Sequence, residues 1–215
     1  MSFLSRTKGF LAKIKGFLIA PIKAFDDVVD EEVRPALGYV GRLLIIYAIL
    51  ITAVFSVISS VATDTINTLL DLLGIRNMLP FNFSSLATFD ISTGITLVIG
   101  VLLGGLLLIL IGGAWTHIWI FAVGGRNGIG ETIKSLAYGS TPSLLFGWAA
   151  FFLVRFGLMA ATAGLIVFLI WSIAIAAIGV RQLHEIETQR AILGCALGAI
   201  IIPAIIVAIL VVIRR

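Results

Sequence analysis

Apolar residues run with few breaks over about 43–62, 95–123, 136–154, 157–180 and 191–213, and polar residues gather in the joints between these runs. Roughly 20 apolar residues in helical form cross a hydrocarbon core, where a helix satisfies its own backbone. The pattern therefore predicts five membrane-spanning helices. The second run exceeds the needed length and must tilt or extend into the interface. The third contains Gly139-Ser140-Thr141-Pro142. Proline lacks the N–H that would reach back four residues, so a bend or break is expected there. The fourth run begins after the single polar residue Arg155, a tight hairpin, and a polar connector from Arg181 to Arg190 precedes the fifth.

The first forty residues follow a different pattern. Arg6, Lys8, Lys13, Lys15 and Lys23 break every apolar stretch, so the segment reads as neither a span nor a secretory signal. Phe3, Leu4, Phe10, Leu11, Ile14, Phe17 and Leu18 instead fall on one helical face, and Lys-Gly-Phe-Leu occurs at 8–11 and again at 15–18. That spacing predicts an amphipathic helix lying in the membrane surface, with packing onto the rest of the protein as the alternative. The acidic residues Asp26, Asp27, Asp30, Glu31 and Glu32 then read as a solvated connector ending near Pro35. The fold class expected is an all-α polytopic integral membrane bundle, divided into an N-terminal unit at 1–41 and a five-span unit at 42–215.

Between the first two spans, residues 63–93 become more polar. Asp64 is placed to cap a short helix that Gly74 would end, and Asn82-Phe83-Ser84 formally matches a glycosylation acceptor. Gly100 with Gly104, and Gly194 with Gly198, repeat the spacing that lets membrane helices approach closely. Thr52, Ser56 and Ser59 form a small hydroxyl stripe expected to meet a neighbouring helix.

Composition agrees with the pattern: 60% of residues are hydrophobic and only 12% are charged. The net charge of +4 arises from cations beside apolar runs, which points to anionic lipid head groups rather than nucleic acid. The lone Cys195 lies in an apolar run and reads as a small buried hydrophobe. Basic residues also orient the chain. With the N-terminus inside, Arg6, Lys8, Lys13, Lys15, Lys23, Arg34, Arg42, Arg126, Lys134, Arg181 and Arg190 lie on that side. Arg76, Arg155, Arg214 and Arg215 lie outside.

Candidate chemistry is sparse. Gly124-Gly125-Arg126-Asn127-Gly128-Ile129-Gly130 invites a phosphate-loop reading, but no Lys-Ser/Thr follows, and Ile133 stands where a dinucleotide fingerprint needs its third glycine. The stretch reads as a tight turn in which Asn127 helps start the next helix. His117 and His184 are the only histidines, and neither has a ligand at metal-binding spacing. No catalytic residue, metal or cofactor is assigned. The hairpin 111–147 is the candidate site: its turn is expected to bring His117, Gly124 and Gly125 beside Glu131, Tyr138, Gly139 and Pro142, as a packing joint or a partner-binding notch.

These residues carry a resemblance. Pro21 and Phe25, His117 followed by Gly124-Gly125, Glu131 leading to Tyr138-Gly139 and Pro142, then Trp171, Gly179, His184 and Arg190-Ala191 resemble the Yip family of Ypt/Rab-interacting polytopic membrane proteins, its prokaryotic branch in particular. The resemblance implies five spans, a cytoplasmic N-terminus and a non-enzymatic role as adaptor or organiser in membrane trafficking or membrane organisation. It implies membrane lipids, other family members as homo- or hetero-oligomers, and in a eukaryote a small GTPase as partners. The membrane would be the cell membrane of a prokaryote, or the endoplasmic reticulum or Golgi of a eukaryote. Where eukaryotic members carry Asp-Leu-Tyr-Gly-Pro before the first span, this chain has Pro35-Ala36-Leu37-Gly38-Tyr39. The competing expectation is a small transporter or lipid-translocating protein that uses the Pro142 break and shows a polar cavity at mid-depth.

Overall fold

A computed structural model describes residues 3–73 and 90–213. Among them the chain is helical apart from short connectors, with no strand. The elements are α1 (Phe3–Ile19), α2 (Pro21–Asp26), α3 (Val33–Leu73), α4 (Ile91–Ala122), α5 (Ile129–Gly139), α6 (Thr141–Phe146), a 3₁₀ helix η1 (Gly147–Phe156), α7 (Leu158–His184) and α8 (Thr188–Ile213). By length and composition α3 over Val33–Val57, α4, the α5–α6–η1 series over Ile129–Val154, and α7 each suffice to cross a membrane. The shorter apolar stretch Thr188–Ile201 opens the 26-residue α8. The molecule is a helical membrane bundle.

The first span differs from its sequence reading at both ends. α3 starts at Val33 rather than near residue 43, because Pro35 sits in the first turn, where no N–H is needed. The 41-residue helix is about 60 Å long at 1.5 Å per residue, so its far end projects well past any hydrocarbon core. Asp64 therefore caps nothing; it lies inside α3, where its carbonyl accepts from Thr68 Oγ1. The boundary drawn at 41/42 also falls within this helix. Gly74 and the Asn82 tripeptide lie outside the described residues.

Asp90 opens α4 by accepting from the Thr93 N–H at 2.7 Å and Ser92 Oγ at 3.0 Å. Those bonds, the backbone one foremost, hold its carboxyl below the usual aspartate range. The third span breaks where Pro142 was expected to break it. α5 ends at Gly139, α6 starts at Thr141, and the span finishes as ten residues of 3₁₀ helix. The carbonyl that Pro142 leaves free is that of Tyr138, and Thr141 Oγ1 donates to it at 2.5 Å. With its one proton committed there, the Thr141 hydroxyl accepts from Tyr39 Oη at 2.9 Å.

Close helix contacts are made by glycines. A Cβ at Gly139 would lie 2.6 Å from Ala176 Cβ, so α5 touches the α7 backbone. One at Gly113 would lie 2.7 Å from Ile133, and one at Gly198 would lie 2.8 Å from Thr116 Oγ1. Gly194 sits against Ile120 and Val123 in the same α8–α4 contact. Among the described residues a Cβ at Gly100 or Gly104 meets nothing within 4 Å. The packing glycine is their neighbour Gly105, where a Cβ would be 2.4 Å from Leu44 Cδ2.

The apolar face of α1 also finds a different partner from the one expected. Phe17 is fully buried, with Phe10 and Ile14 packed around the same cluster, so this face is covered by the protein rather than by lipid. Leu11 and Ile19 remain exposed.

Candidate functional site

α5 carries several polar side chains, yet it is wedged among α3, α4 and α7. Its Thr132, Lys134, Ser135 and Tyr138 are consequently buried. Buried polar groups need partners, and finding them draws two clusters together at the end of the bundle that carries α1 and α2.

The first cluster is built on Thr132. Its hydroxyl lies 2.9 Å from His117 Nδ1 on α4 and 3.0 Å from His184 Nε2 at the end of α7. One hydroxyl proton serves only one of these rings, so Thr132 donates to one and accepts from the other. His184 Nδ1 is buried without a partner. The arrangement that orphans no N–H has His184 Nε2–H donating to Thr132 and Thr132 donating to His117, with Nδ1 left as a bare acceptor. Gly125 closes over that nitrogen: a Cβ there would lie 3.2 Å from it and 2.5 Å from Ile120 Cγ2. Gly124 and Gly128 have φ of 107° and 85°, values that favour glycine. Asn127 does not cap α5. The N-cap is Gly128, and Asn127 Nδ2 instead donates to the Leu183 carbonyl at 2.8 Å, tying the turn to α7.

The second cluster is built on Tyr138. Its ring stacks on Phe17 at 4.4 Å and 15°, with Tyr39 at 5.1 Å and Phe25 at 6.2 Å. Its hydroxyl donates to Glu31 Oε2 at 2.7 Å, and Lys13 of α1 pairs with the same carboxylate at 2.6 Å. Burial acts to raise the Glu31 carboxyl. The bonds from Lys13 and Tyr138, with the charges of Lys13 and Lys134, outweigh it and hold the group below the usual glutamate value. Lys134, only 1% exposed, pairs with Glu131 at 2.8 Å and donates to the carbonyls of Val29 and Glu31 at 3.0 and 2.6 Å. The acidic connector is thus not simply solvated: Lys134 holds its backbone and Tyr138 holds its Glu31. Phe25 completes the fit by filling the space over Gly179, where a Cβ would lie 2.4 Å from its ring.

The hairpin therefore joins His117 to Thr132, not to Tyr138. Tyr138, in the second cluster, and Pro142, in α6, are both buried. Gly139 serves the α7 contact, Glu131 serves Lys134, and Gly124 lies beneath Arg190, whose Nη1 would be 3.4 Å from a Cβ there. From sequence Thr132 goes unnamed, and Lys134, Glu31, Phe17 and Thr141 have no part in this site, only places as an orienting cation, in the acidic run, on the α1 apolar face and in the Pro142 break. The available signal was the polar face of α5 itself, four polar side chains at helical spacing in a segment otherwise destined for the bundle. Among the described residues no group of three or more His, Cys, Asp or Glu is placed to hold a metal.

On the outer side of this end a trough of about 440 Å³ runs between α1 and α2, bordered by Lys15, Gly16, Ile19, Lys23 and Val28. A cleft of about 550 Å³ lies between α1 and the start of α3.

Fold and site together define a multi-pass integral membrane protein whose N-terminal helices are locked onto one end of its bundle by buried polar contacts. The Yip1 domain matches residues 15–212, and the chain belongs to that family. No curated protein and no solved structure matches it.

Proposed function

We propose that this Yip1-family protein is a non-enzymatic membrane adaptor. Its α1–α2 layer forms a platform, facing the cytoplasm, that engages protein partners in membrane traffic or organisation. The observation that carries this reading is the use made of the chemically capable side chains. His117, Thr132, His184, Glu31, Lys134 and Tyr138 all bond to other parts of the same chain, which is how a joint is built. The surfaces left facing outward carry the basic side chains of α1 and α2 together with the exposed Leu11, Ile19 and Ile22. The cytoplasmic assignment rests on the basic residues, eleven of fifteen lying on the N-terminal side of five spans.

The experiment is reconstitution of the full chain into liposomes, with release of trapped solutes and flipping of a labelled phospholipid measured together. An adaptor leaves both at the level of protein-free liposomes. Flux above that level that is lost in Ser143→Ala or Pro142→Ala, with melting unchanged, would overturn the adaptor reading in favour of a transporter using the broken third span.

A further inference from the structure

The cleft between α1 and α3 has a property that the packing joint does not require: it is basic, roomy and continuous with the lipid-facing surface. Arg34, Gly38 and Arg42 line it from α3. At spacings of four residues they share one helix face, with the arginines about 12 Å apart along the axis. Gly38 sits between them, and a Cβ there would meet nothing within 4 Å. Gly9 on the opposite wall is equally open.

The cations are available. Lys13 is already paired with Glu31, but neither Arg34 nor Arg42 has a carboxylate within ion-pair distance among the described residues. Arg42 only rests near the Phe10 ring, 5.7 Å from its centroid. It does so near the start of a helix long and apolar enough to span a membrane, where a cation beside an apolar run suits an anionic head group. One carboxylate, Glu32, also lines the cleft, which leaves the two arginines in excess. Below Arg42 the same face continues as Ile45 and Ile49, both exposed. A cationic recess at the interface followed by an exposed apolar strip is complementary to one molecule in particular, with a phosphate at one end and acyl chains at the other.

We infer that this cleft binds an anionic phospholipid of the surrounding bilayer, its phosphate held by Arg34 and Arg42 over Gly38 and its chains lying along Ile45 and Ile49. Arginine suits the task because its planar fork matches phosphate oxygens. The inference stands whether or not the α1–α2 layer is an adaptor platform, since it uses a different surface.

The test uses the full-length chain in nanodiscs of equal parts phosphatidylglycerol and phosphatidylcholine, with lipid retained on the released protein counted by native mass spectrometry. Wild type should retain phosphatidylglycerol over phosphatidylcholine by about tenfold. Arg34→Gln with Arg42→Gln should abolish that preference. Gly38→Leu should abolish it too, by filling the space while keeping both charges and improving helix propensity. Arg126→Gln, at the same end but outside the cleft, should leave it intact. Circular dichroism and melting of each variant verify the fold, and Arg34→Gln alone, at an exposed first-turn position, serves if the double variant fails to fold. Absence of preference in wild type, retention of preference in Gly38→Leu or in the arginine variants, or equal loss in Arg126→Gln would each overturn the site.

Discussion

Three acceptors surround the buried Lys134 Nζ: two connector carbonyls and the Glu131 carboxylate. Removing it strands those carbonyls as well as breaking the pair, so Lys134→Met should cost about 2–3 kcal/mol and Tyr138→Phe only about 1 kcal/mol. The smaller figure follows because the phenylalanine keeps the stack on Phe17 while losing one bond to Glu31. Thermal melting in detergent, with protease nicking of α1 as a second readout, distinguishes the two. Glu31 also sets a pH limit. Its carboxyl is held below its ordinary 4.5, so its contribution is complete above that value and fades as pH falls through the lower folded value. Nitroxides at Ala12 and Arg126 in a Cys195→Ala background should report a single narrow distance at neutral pH that broadens only in acid below about that value. Broadening already near neutral pH would show that Glu31 is not what docks α1. Neither partner of this latch was legible in the sequence. A lysine flanking a span and a glutamate in an acidic run look like solvated charges until the fold places them within reach of each other.

At the scale of elements, periodicity located the spans well and their contact faces poorly. α4 is apolar on every side, so its pattern names no inner face, and the Gly100–Gly104 spacing is equally compatible with facing lipid. Gly105, one residue and about 100° further round, is the glycine that meets α3. Gly105→Val should therefore lower the melting temperature through its clash with Leu44, whereas Gly100→Val should leave it nearly unchanged. Equal loss in both would place Gly100 against a second copy or an undescribed segment. α1 makes a related point: its spacing gave the helix and its apolar face, but a bilayer and a pocket lined by Tyr39, Phe25 and Tyr138 are alike to a sequence that records only hydrophobicity. The Pro142 break was legible because a missing N–H is a property of the residue itself. Its repair by Thr141, and the 3₁₀ path that follows, depend on neighbours brought in from α3.

For the whole molecule, several residues that carry the family resemblance pack closely together near one end of the bundle. Phe25 seats on Gly179, Tyr138 on Phe17, Gly139 on Ala176, and Gly125 over His184. This end is closed by contacts within the chain, and on the proposed reading a partner would meet the outer faces of α1 and α2. Photo-crosslinking in the native membrane tests this most directly, with a photoreactive residue placed at Ile19 or Ile22 on the outer face, or at Phe17 on the inner one. The account predicts that Ile19 and Ile22 capture a separate protein while Phe17 links only within its own chain, to α2, α3 or α5. Capture of a separate protein through Phe17, with Ile19 and Ile22 capturing none, would contradict it and would mean that α1 leaves the bundle to reach its partner.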